Sequence, residues 1–449
     1  MVYKSFRLTD KLYFNVLNTK IMRLFFFLLL TIFTATAFSQ KTTVLKCGQV
    51  LDVRTGQLNK NVLIIIKGNN IESILPPGTT TKIKADTVID LSSYTVMPGL
   101  IDCHTHVLLQ GDITAEDYDV QLLKESVPYR TIRAVRSCNI ALQNGFTTIR
   151  DLGTEGAGYA DADLKKSIKN EIIPGPRMFV STLAINTTGH YPISEKEYAW
   201  ELTLPKGLQE ITGADEARRA VRQQIAHGAD WIKIYADRGY YKLPDGSYRS
   251  SPNFTTEEIM AIGDEVQRSR KKLAAHAVTR DGIIAAINAG ASSIEHGFGM
   301  DDECMALMVQ KKVYWCPTIY VNEFVADGRA KTGSSINKYF AASEPGLFKK
   351  AINAGVKIAY GTDIGGYDWN MPESKDFEYM VQYGYTPLQA IQTATINAAD
   401  LLGQPNLGEL KAGNLADIIA VKNDPTKNIL VLGDVKWVMK DGVVYKTIR

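Results

Sequence analysis

Histidine and cysteine are both scarce in this 449-residue chain, at six and five residues. The cysteines, Cys47, Cys103, Cys138, Cys304 and Cys316, are too few and too scattered to form a disulfide framework. An excess of charge of one sign is missing as well, with 51 Lys and Arg against 48 Asp and Glu. The small net of +3 resides in residues 1–39, which hold five basic side chains and one Asp; without them 46 bases face 47 acids. Neither nucleic acid nor an anionic membrane is therefore an expected partner. No internal repeat or low-complexity tract is present. Long hydrophobic runs are absent too: residues 24–34 are apolar but fall well short of the roughly 20 residues that span a bilayer, so no stable membrane anchor is expected. Lys20 and Arg23 precede that run and Ala37-Phe38-Ser39 follows it, the pattern of a secretory leader cut ahead of Gln40. Residues 1–39 are thus expected to be a signal peptide, with Met22 an alternative start and the mature chain exported, periplasmic or secreted.

What is present is a large apolar complement, 45% of the residues, enough for an extensive core. Within it stands His104-Thr105-His106, at the end of the apolar stretch Val96-Met97-Pro98-Gly99-Leu100-Ile101. Alternate strand residues share a face, so the two imidazoles project together and form half of a metal site. Taken alone, such a pair also fits two hydrogen-bonded histidines. Downstream, strand-like runs end in Lys233 and Tyr235, in His276, in Glu295-His296 and in Thr362-Asp363. Amphipathic segments precede them, several closed by Gly145, Gly228, Gly290 or Gly355, the usual residue for a helix stop. Candidate strands at 96–106, 146–152, 177–181, 231–235, 273–277, 293–296, 313–317 and 357–362 make eight helix-strand units, the number that closes a (β/α)8 TIM barrel. The ligand-type side chains all fall at the C-terminal ends of these strands, where such barrels carry their chemistry.

With these residues in view, the chain resembles the amidohydrolase superfamily, in its binuclear-metal branch, and within it the imidazolonepropionase-like group with its prolidase and Xaa-Arg dipeptidase members. The resemblance implies six metal ligands, His104, His106, Lys233, His276, His296 and Asp363, holding two divalent metal ions, with zinc the default. It implies that Lys233 is carbamylated and bridges both ions, which requires a neutral amine that burial beside Ile232 and Ile234 favours; a lysine paired with an interior acid is the other reading. It also implies a small β-sandwich formed by both chain ends, residues 40–95 and 406–449, around a hydrolase barrel at 96–405.

The expected activity is hydrolysis of C–N bonds in small-molecule or dipeptide substrates, as a dipeptidase or carboxypeptidase, with Asp363 as catalytic general acid and base. A lactonase or organophosphate hydrolase on the same centre is the alternative. A non-catalytic binding protein is a third class, disfavoured because all six ligand positions are filled. His190, Tyr235 and Arg238 are candidate substrate contacts, for a C-terminal carboxylate and the scissile carbonyl; His227, before Gly228, fits a helix-end role. Residues 237–253 and 323–345 read as loops over the barrel mouth. Composition leaves association into a homo-oligomer open.

Overall fold

Runs rich in Val, Ile and Leu, separated by turn residues, open the described chain as β1 (Thr42–Leu51), β2 (Leu58–Lys67), β3 (Asn70–Leu75) and β4 (Thr87–Pro98). This computed structural model describes residues 40–79, 83–190 and 198–448; the signal segment expected at 1–39 lies outside them. The parallel strands that follow are β5 (Leu100–Thr105), β6 (Phe146–Asp151), β7 (Arg177–Val180), β8 (Ile185–Thr187), β9 (Gln209–Ile211) and β10 (Trp231–Tyr235). A hairpin, β11 (Asp237–Lys242) and β12 (Tyr248–Pro252), precedes β13 (Lys272–Thr279), β14 (Ser293–Gly299) and β15 (Tyr314–Cys316). The chain closes on β16 (Ile418–Val421), β17 (Trp437–Lys440) and β18 (Val443–Lys446).

Both ends of the chain meet in one seven-stranded sheet, ordered β18-β17-β16-β4-β1-β2-β3. Its apolar face buries Leu45, Ile64, Ile66, Val96, Ile418 and Trp437 in one cluster, which is what holds the two ends together. The strand expected over 96–106 is two strands. Met97 and Pro98 pair with Ile419 and Ile418 of β16, whereas β5 starts at Leu100 and runs parallel to β6. Gly99 sits at the break because a Cβ there would lie 2.2 Å from Thr147 Oγ1. A continuous apolar run does not reveal that it serves two sheets.

The parallel strands form two sheets, β5-β6-β7 and β15-β14-β13-β10-β8-β9. Asp230 N donates to Val180 O at 2.8 Å, linking β7 to the start of β10. On the other side, residues 357–364 run between β15 and β5. Trp315 N donates to Lys357 O (2.8 Å), Cys103 N to Tyr360 O (2.8 Å) and Asp363 N to His104 O (2.7 Å). The strand expected at 357–362 is this bridging segment, and β8 and β9 come in addition to the eight expected. Helices alternate with the strands, so the fold is α/β. Gly145, Gly228, Gly290 and Gly355 all have φ between 81° and 106°, the left-handed conformation that ends a helix at little cost only in glycine.

Two expected loops are regular structure. Residues 237–253 hold the antiparallel hairpin β11–β12. Residues 323–345 belong to two helices, Ile319–Lys331 and Ile336–Ala354, the second with Pro345 inside it. Gly328 and Pro345 read locally as breakers, but burial of Val321, Val325, Phe340 and Phe348 outweighs their propensities, while Gly333, at φ 97°, does separate the two helices. Among the described residues no helix is long and apolar enough to cross a membrane.

Candidate metal centre and active site

Strand register brings the expected ligands to one end of the parallel sheets. His104 and His106, two apart on β5 and just after it, have ring centroids 5.3 Å apart. On β10 and β13, Tyr235 is in register with His276, and Lys233 with Ala274. His276 in turn pairs with Glu295, and its ring lies 4.5 Å from that of His296. His296 and Asp363 both depart from extended backbone, with φ of 70° and 58°. Non-glycine residues held there mark a site where surrounding structure overrides local strain. At His296 the turn lets adjacent side chains serve one partner: Glu295 reaches His104 Nδ1, and the His296 ring stands 5.1 Å from the His104 ring.

Each imidazole is gripped through one nitrogen. His104 Nδ1–H donates to Glu295 Oε2 (2.9 Å), His106 Nδ1–H to Gly153 O (2.9 Å), and His296 Nδ1 lies 2.8 Å from Thr318 Oγ1. For His276 the gripped atom is Nε2, 3.0 Å from Tyr240 Oη. The free nitrogens of His104 and His106 converge on Asp363 Oδ1, at 3.4 and 3.2 Å. Lys233 Nζ lies 3.4 Å from His104 Nε2. Ligand atoms of His104, His296 and Asp363 fall within 4.8 Å of one another.

The protonation pattern suits a cation. Burial, then the Lys233 charge, brings His104 down to about 4, and burial holds His276 and His296 well below the ordinary imidazole range. Burial alone would raise Asp363, yet the charge of His104 and the hydrogen bond from His106 hold it well below the carboxylate range. Burial opposes a proton on His106, but its hydrogen bond to Asp363 wins and carries it up to about 9. Lys233 is brought down to about 8, again by burial first. The neutral nitrogens of His104, His276 and His296 beside a firmly ionised carboxylate, oriented by carboxylate and hydroxyl partners, are part of a donor set for a divalent metal, which would take the place of the protons that His106 and Lys233 hold without it.

Residues 95–449 match the amidohydrolase family. The chain belongs to that family. It is 35% identical over 379 residues to ochratoxinase of Aspergillus niger, covering 78% of this chain and 75% of that protein. Among solved structures it is similar to a Xaa-Pro dipeptidase with methionine bound in the active site, at 34% identity and a TM-score of 0.80, over 90% of this chain and all of that one. A prolidase complexed with N-methylphosphonate-L-proline matches at 28% identity and a TM-score of 0.79, over 91% of this chain and 100% of the other. The protein is an amidohydrolase, a hydrolase acting on carbon–nitrogen bonds of small molecules.

The six residues expected as ligands line one cavity of about 290 Å³, together with Tyr235, Arg238 and Tyr240. Tyr235 donates its hydroxyl to Glu155 Oε1 (2.9 Å), and the Arg238 guanidinium stacks 4.8 Å from the Tyr235 ring centre. His190 is not brought there: it is exposed, with Nδ1 3.5 Å from Thr188 O. His227 caps its helix, stacked on Tyr159 at 3.8 Å. Sequence reasoning missed the layer below. Arg150, fully buried, donates from Nη2 to Glu295 Oε1 (2.9 Å), so one carboxylate joins Arg150 to His104. Glu155 accepts from Tyr118 as well (2.6 Å). The available signal was a charged side chain inside an apolar strand, Arg150 in β6 and Glu295 in β14, which demands a partner of opposite sign.

Proposed function

We propose that the protein is a metal-dependent dipeptidase or carboxypeptidase, built as a (β/α)8 barrel over residues 96–405 with a β-sandwich from 40–95 and 406–449. The observation that carries this is the convergence of four imidazoles, Asp363 and Lys233 around one cavity, with each histidine held by a hydrogen-bond partner. His104, His106, Lys233, His276, His296 and Asp363 would hold two divalent ions, zinc by default for a nitrogen-rich set. Lys233, with its amine brought down to about 8 by burial, would add carbon dioxide with loss of a proton, and as a carbamate would supply negatively charged oxygen donors to the ions. When bound, the ions acidify water toward a pKa of about 7 and polarise the substrate carbonyl.

The chain's own residues do the rest. Asp363 takes the proton released by the attacking water and delivers it to the leaving amine, an acid-base role at one carboxylate. Arg238, at the cavity, pairs with the substrate's C-terminal carboxylate, a contact a guanidinium fork makes in two parallel bonds. Tyr235 keeps Glu155 and the Arg238 plane in place rather than reaching the substrate by its own hydroxyl. Export of the mature chain remains part of the reading, carried by the leader-like residues 1–39.

The test is a library of dipeptides and N-acyl amino acids given to the metal-loaded mature protein. Turnover of free dipeptides, with amidation of the C-terminus costing roughly tenfold or more in kcat/KM, is the expected result. Faster hydrolysis of simple lactones than of any dipeptide moves the assignment to the lactonase reading.

A further inference from the structure

Two rings of the cavity lining belong to two spaces at once. Phe298, two residues after His296 on β14, and Phe340, one turn after Ile336 in the helix Ile336–Ala354, line the cavity that holds the expected ligands. The same two residues line a second pocket of about 630 Å³, which also carries the exposed acids Asp301, Asp302 and Glu303. Among the described residues no other is shared between the two linings. The rings are therefore what separates the inner cavity of about 290 Å³, small for a site that takes a small molecule, from a larger outer one.

Both rings are held in place. Phe340 is 3% exposed and Phe298 8%, with ring centroids 6.0 Å apart. Tyr248, on β12, and Tyr339 stand 6.0 and 5.3 Å from the Phe340 ring, within the range of aromatic packing. Gly299 gives that ring its space, since a Cβ there would lie 3.2 Å from Phe340 Cε1. A ring pinned by a strand, a hairpin and its own helix is a fixed partition rather than a gate that swings. On the inner side the Phe298 ring lies 5.7 Å from that of His296. A substrate group that leaves the reacting bond in this direction therefore meets the partition beside an expected metal ligand.

We propose that Phe298 and Phe340 are specificity-determining residues that cap the length of the substrate. Their rings exclude from the inner cavity any chain that would have to continue into the outer pocket, so short substrates are cleaved and long ones are not admitted. Truncating either ring joins the two spaces, because a buried ring replaced by a methyl leaves a void that its neighbours fill only in part. The assignment rests on the C–N hydrolase reading and adds to it a size limit at the end of the substrate that points along this wall.

The experiment gives the metal-loaded protein two series of N-acyl amino acids. One lengthens the acyl group on alanine from acetyl through hexanoyl to decanoyl; the other keeps acetyl and lengthens the amine side from alanine to alanyl-glycyl-glycine. Turnover and calorimetric binding are both measured, for the wild type and for Phe298→Ala, Phe340→Ala and Phe340→Trp. In at least one series the wild type should lose roughly tenfold or more in kcat/KM and in affinity from the shortest member to the longest, and both alanine variants should recover most of that loss. Phe340→Trp, which keeps the partition filled, should be as strict as the wild type or stricter. General loosening would weaken short and long members alike, so a long-to-short ratio that neither alanine variant raises overturns the proposal. So does a wild type with no length limit in either series. Should Phe340→Ala fail to fold, Phe298→Ala decides; should both fail, Phe340→Leu, which removes part of the ring, decides by the same ratio. Binding with the expected ratios but no turnover of any compound leaves this proposal standing and sinks the hydrolase reading; no binding of any sinks both.

Discussion

On the floor of the cavity each histidine proposed to bind metal sits on or just after a strand and is gripped from behind by a second group, as Glu295 grips His104 and Tyr240 grips His276. The helical wall is different. It interleaves aliphatic and aromatic side chains, Val321, Val325, Ile336 and Phe340, with the uncharged amides of Asn322 and Asn337 and the Arg329 cation, all facing the same cavity. A strand end fixes a side chain to within the tolerance of its hydrogen bonds, which a multi-ligand centre needs. A packed helix pair sets the shape and polarity of a surface instead, which suits choosing among substrates. The floor therefore answers for the reaction and the wall for its scope.

Breaking the floor should have the largest effect. His104→Ala should lower kcat/KM by more than the roughly 10–100-fold that losing an outer-layer partner costs, measured by steady-state kinetics with added metal. Glu295→Gln comes next. It leaves Arg150 buried without its counter-charge, so unfolding in urea should show a loss of about 3–5 kcal/mol, and metal affinity should fall roughly 10–100-fold. If unfolding and metal titration match the wild type, the buried Arg150–Glu295–His104 chain has no structural weight. A change on the wall should act more gently. Phe340→Leu should alter KM for substrates with aromatic side chains by a few-fold, roughly the effect of one or two buried methylenes, and leave kcat for small ones nearly unchanged. A fall in kcat across all substrates would erase the distinction between floor and wall.

This contrast also explains what could be read from the chain. Period-two alternation exposed His104 and His106, and the repeated helix-glycine-strand unit placed Lys233, His276, His296 and Asp363 at strand ends, because each ligand sits within its own local pattern. Glu295 and Arg150 escaped because they are 145 residues apart and become partners only when β6 and β14 approach. The helical wall was hidden by Gly328 and Pro345, whose local preference for a loop is outweighed by burial that no window of sequence reports. The split at Gly99 was hidden for the same reason, since the space it yields belongs to Thr147 on another strand.

A finer effect concerns Lys233. Below about pH 8 its amine is protonated and inert toward carbon dioxide, and above that pH it is neutral and reactive, burial being the main cause of the lowered value. Metal-stripped protein supplied with metal and held at a constant concentration of dissolved carbon dioxide should regain activity faster as pH rises from about 6.5 to about 8.5, then level off. A rate flat across that interval would mean that the amine is not the titrating group.

The most direct measurement is elemental analysis of the purified protein and of its Lys233→Ala variant under metal-replete conditions. The wild type should carry about two divalent ions per chain, and the variant well under that, with partial recovery of metal and activity when a short carboxylic acid stands in for the carbamate. A wild type holding less than one ion, or a variant that keeps both ions and the full rate, would contradict the assignment of His104, His106, Lys233, His276, His296 and Asp363 as one binuclear centre.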